Sequence, residues 1–254
     1  MPRYKLTIEY NGGGFVGWQR QKNGLSVQQV IEEAIEKFCG EAVTLSGAGR
    51  TDTGVHALGQ VAHFDLAEAA ETDTVRDALN FHVRPAAISI LAAEQVDDDF
   101  HARFSATERA YLYRIINRRP PLTLDKGLAW HVIPELDNEA MAKAAQALVG
   151  FHDFTSFRSV HCQAESVEKT MNCIEITRQG EEIWLLLRAP SFLHNQVRII
   201  AGTLACVGEG KWSPRDVADA LAIRDRAAGG PTAPPEGLYF LEAVYGEKKK
   251  GKKK

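Results

Sequence analysis

Arg50 and Asp52 stand two apart in the stretch Gly47-Ala-Gly-Arg-Thr-Asp-Thr-Gly-Val-His-Ala-Leu-Gly-Gln-Val-Ala-His-Phe64, with Thr51 between them and Thr53 beyond. A carboxylate can act as a nucleophile or take a proton, and a guanidinium can hold an anion beside it. Gly47, Gly49, Gly54 and Gly59 allow positive φ or a close approach to a ligand. Taken alone, the stretch is equally compatible with a tight connection whose charges are solvated. His56 lies four residues after Asp52, and His63 follows on the next apolar run, which invites a metal site. That spacing serves a metal on a helix face, whereas this is a glycine loop with no cysteine or third ligand nearby. No metal is therefore expected, and His56 is assigned to bracing the loop.

The elements around the loop follow from periodicity. Tyr4, Leu6, Ile8 and Tyr10 alternate with Lys5, Thr7 and Glu9, which predicts a half-buried strand over 3–10. A glycine-rich loop over 11–21 is not a P-loop, because no Gly-Lys-Ser/Thr closes it. Its Trp18, Gln19 and Arg20 suit either a base or phosphate contact or a plain glycine turn. Ser26 and Gln29 fit a capping box, and Val27, Val30, Ile31, Ala34, Ile35 and Phe38 then recur at helical spacing up to Gly40. Strands are expected over 43–45 and 60–65, a helix over 74–81 that stops before Pro85, and a strand over 87–96. This order resembles a ferredoxin-like unit with an extra hairpin. Beyond it, Tyr111, Tyr113 and Ile115 share one face of a strand, and a helix spans 138–149. A hairpin joins 169–178 to 182–188, and a helix runs from near His194 to about Val207. Ser213-Pro214 opens another helix, 226–237 is a Gly/Pro-rich loop, and 238–245 is a last strand. The second half repeats the first in element order.

The 254 residues carry ordinary apolar content, 44%, enough for one large or two modest domains. There is no signal-peptide pattern at the N-terminus and no apolar run of membrane-spanning length, so a cytoplasmic protein is expected. Cys39, Cys162, Cys173 and Cys206 are scattered without a CxxC pair, which suggests neither zinc nor disulfides. The formal charge of −3 includes six lysines in the last seven positions, and without them 24 bases face 33 acids. An acidic body argues against bulk nonspecific nucleic-acid binding, yet residues 103–119 hold five arginines and one glutamate, a local basic stretch. The lysine tail, 247–254, is expected to be disordered and solubilising, with a weak RNA contact as the other option.

The motif Arg50-Thr51-Asp52-Thr53-Gly54-Val55-His56, followed later by Arg109-Ala110-Tyr111-Leu112-Tyr113, resembles the tRNA pseudouridine synthase A family. Four more blocks in the same order support the resemblance: Phe15-Val16-Gly17-Trp18-Gln19, Asp99-Phe100-His101-Ala102-Arg103-Phe104-Ser105-Ala106, Ser191-Phe192-Leu193-His194-Asn195-Gln196-Val197-Arg198 and Pro234-Pro235-Glu236-Gly237-Leu238-Tyr239. It covers residues 3–245. The resemblance implies an α+β fold of two ferredoxin-like (RRM-like) halves, 1–105 and 106–246. They would form a mixed, mainly antiparallel sheet with helices on one side and a cleft between the halves. It implies a homodimer that converts uridine to pseudouridine at positions 38, 39 and 40 in the anticodon stem-loop of tRNA, with no cofactor and no membrane association. Asp52 matches the catalytic aspartate, Tyr111 the tyrosine packed on the target base, and Arg198 the base paired with the aspartate. Arg50 matches a residue of RNA contact and base flipping. His101, Arg103 and Phe104, and also Cys162, Gln163 and Leu238, fall in segments that contact substrate. Thr53 stands where many members have alanine, and Asn195-Gln196 replaces a frequent His-Met pair.

The chemistry requires these residue types. The uracil must leave the helical stack, detach from the ribose at N1 and return through C5. Arg50 is suited to fill the vacated space or hold the nucleotide's phosphate. Asp52 can attack as a nucleophile or remove a ribose proton towards a glycal, and either route needs it ionised. Tyr111 offers a stacking face worth roughly 1–3 kcal/mol and a hydroxyl to help move the C5 proton. A noncatalytic RNA-binding protein would share the scaffold but has no use for a carboxylate beside phosphates. A metal-dependent phosphohydrolase built on Asp52, His56 and His63 would be sensitive to chelators.

Overall fold

The computed structural model describes residues 1–246, and the expected lysine tail lies outside them. β1, Arg3–Tyr10, buries Tyr4, Leu6, Ile8 and Tyr10 on one face, as its alternation requires. α1, Val27–Cys39, starts where the Ser26 hydroxyl accepts from the Gln29 N–H and ends at Gly40 in the left-handed region, φ 76°. Only the Ser26 half of the capping box forms, and the Gln29 amide donates to Glu33 at 2.8 Å. β2, Ser46–Gly47, and β3, His56–Asp65, enclose the polar loop, followed by α2, Thr72–His82, and β4, Ile88–Val96. The expected strand over 43–45 is absent. Side chains of α1 capture its backbone, since Glu32 accepts from the Leu45 N–H and Gln28 donates to the Leu45 carbonyl.

β5, Ala106–Asn117, is followed by the short β6, Trp130–Val132, and by α3, Asn138–Ala145. α3 is shorter than expected because its last turn tightens into a 3-10 turn, Gln146–Leu148, ahead of Gly150 at φ 113°. The hairpin arm over 169–178 is two strands. β8, Glu168–Met171, pairs with β7, Gly150–Asp153, in a small separate sheet, and β9, Cys173–Gln179, pairs with β10, Glu182–Ala189. α4, Gln196–Gly208, begins two residues after His194, because Asn195 holds φ 61° outside the helix. α5, Pro214–Ile223, opens on a reciprocal capping box between Ser213 and Asp216. β11, Leu238–Tyr245, closes the described chain.

The main sheet runs β4-β1-β3-β11-β5-β10-β9, with β2 on β3 and β6 on β5. It is a mixed sheet of an α+β protein. Every neighbour on the main path is antiparallel except β3 and β11, which run parallel through His56 opposite Tyr239 and Ala57 opposite Phe240. That seam joins the last strand of the chain to the strand leaving the Asp52 loop. One hydrophobic cluster spans it, including Tyr4, Phe64, Tyr113 and Phe240. Among the described residues no helix is long and apolar enough to cross a membrane.

His63 on β3 is buried, and its Nδ1 accepts from the Ala102 N–H at 3.1 Å. Burial first, then the neighbouring His101, lowers its pKa from 6.5 to about 4. The unfolded chain therefore binds the extra proton first as pH falls, so the stability from neutral His63 is present above pH 6.5 and lost towards pH 4. Urea melts across this range should show a loss of about 1–2 kcal/mol, discounted for the solvent beyond His101. His63→Asn, which keeps an acceptor without the titration, should flatten that dependence.

Candidate active site

The loop between β2 and β3 is held at nearly every residue. Gln60 donates to the Gly49 carbonyl at 2.9 Å, the Trp18 N–H to the Thr51 carbonyl at 3.0 Å, and the Thr53 hydroxyl to the Val16 carbonyl at 3.0 Å. The Thr51 hydroxyl pairs with the Tyr10 hydroxyl at 2.7 Å in a buried contact. Gly54 takes φ 79°, and a Cβ on Gly47 would stand 2.7 Å from the Trp18 ring. The glycines thus serve a tight turn and close packing within the protein. His56 braces the start of β3, its Nδ1 accepting from the Gly12 N–H at 3.0 Å while its ring stacks on Tyr239.

So fixed, Asp52 presents a carboxylate 32% exposed. One oxygen stands 3.3 Å from His194 Nε2 and the other 3.5 Å from Arg198 Nη1. Arg198 reaches from α4, 16% exposed, and is itself aimed by its Nε donating to the Ala233 carbonyl at 2.8 Å and Nη1 donating to Asn195 Oδ1 at 3.1 Å. Asn195 therefore supplies an acceptor that orients the guanidinium. Gln196 caps the turn by accepting from the Leu193 N–H at 2.7 Å. These groups line a cleft of about 690 Å³ whose walls also include Arg50, Gln19 and Arg20. The Asp52 carboxylate thus stands between an imidazole and a guanidinium from the opposite wall of the cleft.

Tyr111 lies behind this wall. It is 9% exposed, with Phe192 and Phe240 edge-on at ring distances of 5.0 and 5.2 Å. A Cβ on Gly49 would sit 3.7 Å from its hydroxyl, so the phenol backs onto the Asp52 loop. Burial, then the nearby Tyr10 and Asp52, raises its pKa well above the ordinary tyrosine value. The phenol is therefore neutral.

Comparison with known proteins bears on the same positions. The tRNA pseudouridine synthase family model matches residues 6–105 and 144–246. The chain belongs to the tRNA pseudouridine synthase family. The tRNA pseudouridine synthase A of Parvibaculum lavamentivorans is 61% identical over 245 residues, covering 96% of this chain and all of that protein. That of Paramagnetospirillum magneticum is 58% identical over 96% of each chain, and that of Sinorhizobium fredii is 58% identical over 96% of this chain and all of its own. Asp52 and Arg198 fall in the two matched stretches, and Tyr111 lies between them.

The fold brings together some of the family-derived site residues and separates others. Asp52, Arg50 and Arg198 share the cleft; Tyr111 does not line it. His101, Arg103 and Phe104 form a separate surface cluster in which the His101 Nδ1 accepts from the Arg103 N–H and Arg103 lies over the exposed Phe104 ring. Cys162 packs partly against the core, and Gln163 is exposed; neither lines the cleft. Leu238 is a buried core residue at the start of β11. Sequence reasoning passed over His194 and Pro235 as cleft residues, although both lie inside the quoted blocks. His194 sits four residues before Arg198, and only the αL turn at Asn195 swings it towards Asp52.

Proposed function

We propose that this chain isomerises uridine to pseudouridine at positions 38, 39 and 40 in the anticodon stem-loop of tRNA, by base flipping and attack or proton abstraction by Asp52. The observation that carries this is an aspartate held between His194 and Arg198 on the wall of an open cleft, in a chain of the tRNA pseudouridine synthase family. A cleft of about 690 Å³ is within the size range of ligand sites, about 300–1,000 Å³. In the proposed sequence the target nucleotide leaves the stack and enters beside Arg50, whose exposed guanidinium takes the phosphate or the vacated space. Asp52 then attacks ribose C1′ as the bond to uracil N1 breaks, or removes a ribose proton as that same bond breaks, with Arg198 holding the carboxylate in place. The uracil turns and rejoins through C5.

Tyr111 completes the site when Phe192 or the Asp52 loop shifts to open its ring to the base. Its neutral hydroxyl then relays the C5 proton, its oxygen accepting that proton as its own O–H proton passes to solvent water. Tyr111→Phe is expected to bind tRNA within about 2-fold of wild type and to lose turnover by about 10- to 100-fold. Unchanged turnover would limit the ring to packing.

Two ferredoxin-like units, 1–105 and 106–246, form the architecture. The strand order β4-β1-β3-β2 in one and β11-β5-β10-β9 in the other supports this, with the cleft where Asp52 of the first meets Arg198 of the second. We assign the chain to the cytoplasm as a homodimer, with the anticodon arm of tRNA as its partner. The deciding experiment incubates the chain with unmodified tRNA transcript and maps pseudouridine by carbodiimide modification, with Asp52→Ala in parallel. Carbodiimide stops at positions 38–40 with wild type alone are expected. No product from wild type, or equal product from the variant, would overturn the function.

A further inference from the structure

Arg109 on β5 lies outside the cleft, and every hydrogen bond its guanidinium makes ends on a main-chain carbonyl. Nε and Nη2 donate to the Ala48 carbonyl at 3.3 and 3.2 Å, and Nη1 donates to Ala106 at 3.3 Å and Pro190 at 2.6 Å. Nη2 also donates to the Arg103 carbonyl. These five bonds match the five N–H groups of an arginine. Two of the carbonyls, those of Ala48 and Pro190, belong to distant pieces of chain, and those of Ala106 and Arg103 lie just upstream of Arg109. Ala48 opens the loop that carries Asp52, Pro190 opens the turn that carries His194 towards Arg198, and Arg103 lies in the surface cluster beside Phe104.

We infer that Arg109 is a positioning residue for the reaction, locking the Asp52 loop to the His194 turn so that the carboxylate, imidazole and Arg198 guanidinium hold their spacing. The inference rests on the function proposed above. Burial opposes the charge and lowers the pKa of Arg109, so the cation is a costly device for filling a strand position. An apolar side chain would pack β5 at least as well. What the planar fork adds is geometric: one rigid group ties together the chain segments that leave β2 and β10, fixing their angle and separation. Lysine has three donors on a flexible stem and cannot span the same carbonyls. A shift of even 1 Å in a group so placed costs about 100-fold in rate.

The test compares wild type, Arg109→Lys and Arg109→Gln on unmodified tRNA transcript, measuring single-turnover rate, tRNA Kd and thermal melting. Folded Arg109→Lys is expected to keep Kd within about 3-fold and to lose about 100-fold in single-turnover rate at temperatures well below its melting point. Should Arg109→Gln fail to fold, the lysine variant alone decides. A lysine variant with the wild-type rate would overturn the assignment, as would losses in rate and affinity that track the unfolded fraction. If wild type itself makes no pseudouridine, the proposed function fails and the role of Arg109 fails with it. If wild type is active and Arg109→Lys is equally active, only the role of Arg109 fails.

Discussion

Asp52→Ala is expected to lower pseudouridine formation by at least about 1,000-fold while tRNA affinity stays within a few-fold. Both routes open to the carboxylate make and break bonds at the ribose, and no other carboxylate lines the cleft among the described residues. The loop should survive the change, because its anchors at Gly49, Thr51 and Thr53 do not pass through the Asp52 side chain. Asp52→Asn sharpens the test. It preserves size and hydrogen-bonding reach towards His194 and Arg198 but carries no charge, so it should be equally inactive. An Asn variant retaining a tenth of the wild-type rate would show that the carboxylate is not the reacting group. Removing a negative charge beside RNA phosphates should tighten binding slightly, which nitrocellulose or fluorescence titration would register.

Arg198→Leu should have the second largest effect, a loss of about 100-fold or more in turnover. The guanidinium is mostly buried and makes three contacts, to Asp52, Asn195 and Ala233. Leucine fills much of the space but leaves Asp52 with His194 as its remaining partner and strands the Ala233 side-chain-facing carbonyl. Leaving that acceptor unpaired should cost about 1–3 kcal/mol in stability, readable in urea melts. Arg198→Lys should recover little of the rate, since one ammonium cannot satisfy the Ala233 carbonyl and face Asp52 together. A leucine variant turning over at the wild-type rate would remove Arg198 from the mechanism.

Much of this architecture was legible residue by residue. The alternation of Tyr4, Leu6, Ile8 and Tyr10 located β1, and Ser26 and Gly40 bracketed α1, because caps and periodicity are local consequences of backbone hydrogen bonding and burial. The errors also have local causes that the pattern hid. The 43–45 segment looks strand-like, yet Glu32 and Gln28 had already claimed the backbone of Leu45. The 169–178 run reads as one strand, but the Asn172 N–H donates to the Arg188 carbonyl at the break between β8 and β9. At the site, Asp52, Arg50, Tyr111 and Arg198 were marked by their blocks, whereas the edge-on packing of Phe192 and Phe240 around the Tyr111 ring depends on residues remote in sequence.

From sequence alone came the elements, their caps, the glycine loop and the candidate carboxylate, all of which depend on neighbours within a few turns of chain. The tertiary structure decided the rest: that β3 meets β11 in parallel, that His194 reaches Asp52 through an αL turn at Asn195, and that Arg109 binds three loops at once. Apart from the local Arg109–Arg103 bond, those contacts join residues tens to well over a hundred positions apart. Their geometry is set by strand pairing and core packing across the whole sheet, for which no short stretch carries a signal.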